Sequence, residues 1–412
     1  MPTPETRDTK RLHQGIHNLA AWLVAFSRSG SASGMLMLVL AAFGLLCANM
    51  VGADRVYDGF SRWVPLRGGL LGSGMGLDLS IKEWVQDGLL TIFFLVMGLD
   101  LCQEMETGTL RTPKQALLPM IAAMGGVLLP IGIYLAICQG SPSSLQGWAV
   151  PTATDVAFSL TALKLLSKHG SQGTQAFLTT LAVFDDIIGV ILIAVGYSSL
   201  SHPLALIPVA GCLVLWFLLM RARHPVWPLA CLLALGAWYG LYVTGIHPVL
   251  AGVALGLLTP GHPVHGGVRS RAACLNMSLA PISNLLVLPA FAFLSMGISL
   301  HGFSPAWLSN PVFLGIMAGL AVGKPLGIMA MLLACAAVGL RLPLGTRWGD
   351  MVQVSQLCGI GFTMSFLIAN IAFADGQLTS MALVAVLAGS LLSFALAAIT
   401  GLILKVARRP RP

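Results

Sequence analysis

Charge is what this sequence has least of. Only 9% of its 412 residues are Asp, Glu, Lys or Arg, where a water-soluble domain carries roughly a quarter. That scarcity excludes an ordinary soluble globule. Metal-ligand spacing is absent as well: the eight cysteines (Cys47, Cys102, Cys138, Cys212, Cys231, Cys274, Cys335, Cys358) lie in or beside apolar runs without a CxxC pair, which argues against zinc sites and for small core thiols without disulfides. A basic patch is also missing. The net charge of +8 is spread over short loops, so nucleic acid is not an expected partner. The opening stretch MPTPETRDTKRLHQG has no apolar core and no small-residue cleavage site, and reads as something other than a signal peptide.

What is present is apolar length. Hydrophobic residues make up 56% of the chain, and runs of roughly 20 residues, enough to span a hydrocarbon core, recur from Leu36 to Leu404. They predict an all-α polytopic membrane protein of about twelve spans, centred near Ala41, Leu95, Val127, Val156, Ile187, Pro208, Leu233, Gly252, Val287, Gly319, Phe362 and Leu391. On that reading residues 1–33 form a cytoplasmic N-terminus, 34–408 a single transmembrane domain and 409–412 a cytoplasmic tail. Ile16, Leu19, Ala20, Leu23 and Val24 fall at helical spacing beside polar neighbours, predicting a short surface helix. The Gly-rich stretch at about 52–84 predicts an external hairpin, and through it a homodimer contact. Of the basic residues placed in loops, only Arg55, Arg62, Arg67 and Lys82 fall on one side. The positive-inside rule therefore puts both termini in the cytoplasm.

Two spans are interrupted. The fourth contains Pro151 and the cluster TATD; the eleventh contains Gly359, Gly361, Thr363 and Ser365 in the corresponding place. Broken helices at similar depth in two halves of a chain predict an inverted repeat with a site at the bilayer midplane. The units are about 115–198 and 310–404.

Within the apolar spans stand Asp155, Asp185, Asp186 and Lys324, each costing about 2.5–3.5 kcal/mol at a helix centre. Asp185 and Asp186 are contiguous, so their side chains diverge by about 100° around a helix and meet different surroundings. Lys324, the one basic residue placed in the hydrocarbon core, is an obvious partner for one of them. Two buried carboxylates with a single ammonium disfavour full ionisation, so proton release and sodium capture become competing events there. Asp155 at the fourth-span break is placed to meet half-helix N-termini, and Thr154 offers oxygen to a small hard cation. Asp87, Asp100 and Glu104 of the second span are candidates for a cytoplasmic funnel that concentrates cations. His247, His262 and His265 are candidates for a pH response, histidine being the side chain whose ordinary pKa lies nearest neutrality.

The segments FFLVMGLDLCQE, PTATDVAF, FDDIIGVILIA, TGIHPVLAG, GKPLGI and CGIGFTMSFLIA together resemble the NhaA-type sodium/proton antiporters of bacteria, over essentially the whole chain. The resemblance implies an electrogenic exchanger of sodium or lithium for protons, working by alternating access in the bacterial inner membrane, with no cofactor beyond the transported ions. It implies Asp186 as the principal carboxylate, Asp185 as the neighbour that engages Lys324, Thr154 as a cation contributor and Asp155 as the charge balancing crossed half-helices. The chain departs from that family at Asp100, followed by Cys102 and Gln103, and at Asn276, Met277 and Ala280, where the family's pH-sensing cluster often supplies Glu and His.

Other readings compete. A sodium-coupled symporter of the same fold carrying an organic anion is disfavoured because a second fixed carboxylate repels an anion. An intramembrane aspartyl protease needs aspartates converging from separate helices, whereas these two are contiguous. The spans hold too few polar residues for a passive channel.

Overall fold

The computed structural model describes residues 30–65, 77–106, 113–166, 172–198, 201–264, 268–298, 305–343, 345–373 and 376–407. The expected surface helix at 16–24 lies outside them.

Helices account for almost all of the described chain. They are α1 (Gly30–Asn49), α2 (Ala53–Ser61), α3 (Ile81–Glu106), α4 (Pro113–Ile137), α5 (Pro142–Thr152) and α6 (Val156–Leu166). There follow α7 (Gln172–Gly196), α8 (Pro203–Arg221), α9 (Trp227–Thr244), α10 (Val249–Leu257) and α11 (Arg271–Ser295). The last are α12 (Pro311–Ala337), α13 (Trp348–Leu357), α14 (Phe362–Ala372) and α15 (Gly376–Ala407). Among the described residues, eight helices are long and apolar enough to cross a membrane, or up to 11 if each bent pair is one span. The bent pairs are α1–α2 at 113°, α5–α6 at 52° and α13–α14 at 42°.

The span expected around Gly252 is the nine-residue α10, shorter than a crossing requires. Gly245, at φ 81°, ends α9 in the left-handed conformation, Pro248 precedes the first turn of α10, and Pro260 stands shortly after its last. In the region of the expected hairpin no strand is described. Residues 53–61 are helical, and a single backbone bond, Ile81 N to Trp63 O at 2.9 Å, joins the two flanks.

The outer surface is apolar, unlike that of a soluble bundle, over an apolar core that also holds polar groups. Large apolar side chains face outward along α1, α8, α9 and α15, for instance Leu38, Phe43, Ile207, Leu215, Leu232 and Leu402, while Thr154, Asp155, Ser159, Asp185, Lys324, Gln353 and Ser365 are buried. Without a hydrophobic drive between helices in lipid, close backbone approach must do much of the work. It does so at several crossings, two of which show it. Where α3 meets α10, a Cβ on Gly252 would fall on the Thr91 carbonyl; where α4 meets α12, one on Gly125 would fall on the Gly327 carbonyl.

Three helices carry a π-register segment: Trp84–Leu89 in α3, Ser283–Val287 in α11 and Gly319–Gly323 in α12. In α11 and α12 the cause is at hand. Pro289 and Pro325, each two residues past the end of its segment, cannot donate to the helical ladder, and the wider register re-pairs the backbone beside them. Lys324 follows the α12 segment directly.

Candidate ion site

The chain between α5 and α6 and the chain between α13 and α14 come together at the centre of the helices. Asp155 N donates to Ile360 O at 2.7 Å, a single backbone bond between the two breaks. Each break leaves a helix C-terminus with unpaired carbonyls and a helix N-terminus with unpaired N–H groups, and the buried polar side chains are distributed over these ends.

One carboxylate serves both N-termini. Asp155 Oδ1 accepts from Phe158 N in the first turn of α6 at 3.2 Å, and its Oδ2 accepts from Thr363 N (3.2 Å) and Thr363 Oγ1 (2.6 Å) in the first turn of α14. Negative charge there meets the positive ends of two helix dipoles. The C-termini are treated differently from each other. The Lys324 ammonium donates to the Thr152 carbonyl that ends α5, whereas the end of α13 receives hydroxyls, Ser159 Oγ to Leu357 O and Thr154 Oγ1 to Cys358 O, both at 2.8 Å.

Asp185 comes to this locus from α7. Its Oδ2 lies 2.8 Å from Lys324 Nζ, both side chains fully buried, and accepts from Thr154 Oγ1 at 2.7 Å. Thr154 has one proton and two acceptors, Asp185 and the Cys358 carbonyl. Among the described residues Asp185 Oδ1 is buried without a hydrogen-bond partner. Asp186 is half-buried, and no hydrogen bond or ion pair is formed by its carboxylate among the described residues. The two adjacent acids thus occupy unlike surroundings, one tied to an ammonium and one facing partly open space. All ligating atoms offered here are oxygens, the donor type that hard cations take; no cluster of three or more His, Cys, Asp or Glu suited to a metal forms among the described residues.

The remaining acids separate. Asp100 accepts a hydrogen bond from Asn276 of α11, and Glu104 lies one turn further along α3. Asp87 sits some 20 Å away on the same rod, at about 1.5 Å per residue, with its carboxylate 3.5 Å from His247 Nε2 and its carbonyl bound by Trp238 Nε1 at 2.6 Å. Asp87 therefore stands about three and a half turns of helix from Asp100 and nearly five from Glu104, at roughly 3.6 residues per turn. His262 pairs with Glu106 at 2.7 Å at the Glu104 end, and His265 lies outside the described residues.

Sequence reasoning named Ser365 at the eleventh-span break and missed Ser390. Ser390 of α15 accepts from Gly361 N at 3.2 Å and Ser365 donates to Val150 O at 2.8 Å, so α15 and α14 both help to satisfy the breaks. The Ser390 and Ser393 pair, small polar residues within the apolar middle of a 32-residue helix, was the available signal.

The family described as "Na+/H+ antiporter 1" matches residues 24–402. The chain belongs to this family. Similar proteins named Na(+)/H(+) antiporter NhaA include one from Bifidobacterium longum, 39% identical over 91% of this chain and 83% of that protein, and one from Caulobacter vibrioides, 38% identical over 89% and 86%. A Pseudomonas syringae protein named Na(+)/H(+) antiporter NhaA 2 is 38% identical over 95% of each. An Na+/H+ antiporter 1 family member is a membrane transporter and not an enzyme, and the apolar helices agree with a membrane protein.

Proposed function

We propose that the chain exchanges sodium or lithium for protons, electrogenically and by alternating access, with cation and protons competing for Asp185 and Asp186. The observation that carries this reading is the buried acid pair served by one ammonium: Lys324 engages Asp185, Asp185 Oδ1 is unpartnered, and Asp186 is half-open. A sodium ion seated between these oxygens and Thr154 supplies the positive charge that the acids otherwise obtain from protons. Asp155 holds the two half-helix N-termini and keeps the crossing intact while the occupant changes.

In the same reading the chain makes twelve crossings, with α10 as the short eighth, the α5–α6 and α13–α14 pairs as discontinuous fourth and eleventh spans, and units 115–198 and 310–404 as inverted repeats. The pairing of α4 with α12 across two glycines, one from each unit, supports that symmetry. Both termini face the cytoplasm of a bacterium, so Asp100 and Glu104 mark the cytoplasmic mouth and Asp87 with His247 the external end.

The test is reconstitution into vesicles loaded with a pH-sensitive dye and energised acid-inside. Addition of sodium or lithium, but not potassium, should drive proton efflux, and a potassium diffusion potential should change its rate. Proton efflux absent with both sodium and lithium would overturn the exchange reading; uptake of an organic anion with sodium would favour the symporter.

A further inference from the structure

Helix α2 is divided lengthwise into three arcs. At 100° per residue, Ala53, Asp54, Tyr57 and Ser61 share one side, and Tyr57 and Ser61 are buried there. Val56 and Phe60 share a second, with Trp63 just beyond the helix end; they are 73%, 48% and 59% exposed. Arg55, Asp58 and Arg62 form the third, all exposed, with Arg62 and Asp58 3.6 Å apart.

The helix is firmly held. Tyr57 OH reaches the Phe293 and Leu294 carbonyls at 3.0 Å, and its ring packs edge-on to Phe293 at 5.3 Å. Gly52, at φ 88°, makes the turn that sets α2 at 113° to α1, so α2 lies across the end of the bundle. That end is opposite Arg271, where α11 begins, because Tyr57 is bound by the last turn of α11.

We propose that α2 is an in-plane interfacial helix, with Val56, Phe60 and Trp63 seated in the lipid at the boundary of headgroups and acyl chains. Protein, lipid and water each take one arc. The apolar arc continues the outward face of α1, whose Phe43, Leu46 and Met50 lead through Val51, 97% exposed, into α2. An apolar face opposite a charged one is the pattern of helices lying in a membrane surface, and a tryptophan at the edge is suited to that depth. Three side chains fall well short of the 20–30 residues per side of a standard protein interface, which favours the bilayer over a second copy. The proposal is independent of ion exchange.

Spin labels on cysteines placed at Val56, Phe60, Arg55 and Asp58, with the accessible Cys47, Cys212, Cys231 and Cys274 changed to Ser, test it in phosphatidylcholine–phosphatidylglycerol vesicles. Labels at Val56 and Phe60 should be relaxed by oxygen and shielded from a water-soluble nickel chelate, and those at Arg55 and Asp58 the reverse. Nickel access at all four sites, or dipolar broadening between copies at Val56 and Phe60, would overturn it. A second measurement uses the native cysteines: Trp63→Phe should remove a component of fluorescence quenched by brominated lipid, and an unchanged quenched component counts against the proposal.

Discussion

Replacing Asp155 by Asn tests whether one carboxylate holds two helices. The carboxylate accepts three hydrogen bonds, one on Oδ1 from Phe158 N and two on Oδ2 from Thr363. An amide has one acceptor oxygen. Its best placement keeps both Thr363 bonds and turns the NH2 toward the Phe158 N–H, donor against donor. Losing one bond to a charged group costs about 1.5–3 kcal/mol, and removing negative charge from two helix N-termini costs about 0.3–1 kcal/mol each, more when buried. Relief from burying a charge offsets part of this. The net destabilisation is then roughly 1–4 kcal/mol, or several degrees in melting temperature at about 2 °C per kcal/mol for a large chain. Thermal unfolding of purified Asp155→Asn, Thr363→Val and the double variant in detergent reads it. Thr363→Val should cost clearly less when combined with Asp155→Asn than alone, because the pair acts as a unit. An unchanged melting temperature for Asp155→Asn, or strict additivity, would refute the shared cap.

Asp186→Asn should abolish sodium-driven proton efflux while leaving the gel-filtration profile intact, since its carboxylate forms no hydrogen bond or ion pair among the described residues whose loss would weaken the fold; normal exchange by this variant removes Asp186 from the site. Lys324→Ala breaks a fully buried pair and should cost about 3–5 kcal/mol, visible as a much lower melting temperature than that of Asp186→Asn. Asn276→His places a group titrating near 6.5 against Asp100, and the rate of exchange measured against pH should acquire an added transition near neutrality. Gly327→Val drives a side chain into the Gly125 carbonyl, and should sharply reduce the yield of folded protein, whereas Gly211→Val, with open space around it, should not.

Much of the centre was legible because hydrocarbon punishes charge. Asp155, Asp185, Asp186 and Lys324 stand out in apolar runs without any structure, and the 100° divergence of neighbouring helix positions foretold unlike surroundings for the two acids. Which acid takes Lys324 was not derivable from composition or spacing; it depends on the rotation of α7 against α12, which the structure resolves in favour of Asp185. Carbonyl partners such as those of Thr152 and Cys358 were illegible for another reason, since every residue carries one and only the geometry of a break exposes it. The separation of Asp87 from Glu104 follows from simple length, as one helix holds them nearly five turns apart at roughly 3.6 residues per turn. The helical conformation of residues 53–61 was hidden by Gly52 and Gly59, which favour a turn reading, while the packing of Tyr57 against α11 overrides them.

The contacts that build the site join residues 31, 172, 204 and 208 positions apart. In synthesis from the N-terminus, 139 residues (324 − 185) separate Asp185 from its ammonium, or about 7–28 s at roughly 5–20 residues per second. For that interval the nascent chain holds Asp155, Asp185 and Asp186 in apolar helices with neither Lys324 nor Thr363 yet made. Each bears the cost of a charge in hydrocarbon or binds a proton instead. Biogenesis therefore passes through a form in which α5 to α7 cannot pack as they do at the end, and the arrival of α12 to α14 completes the site.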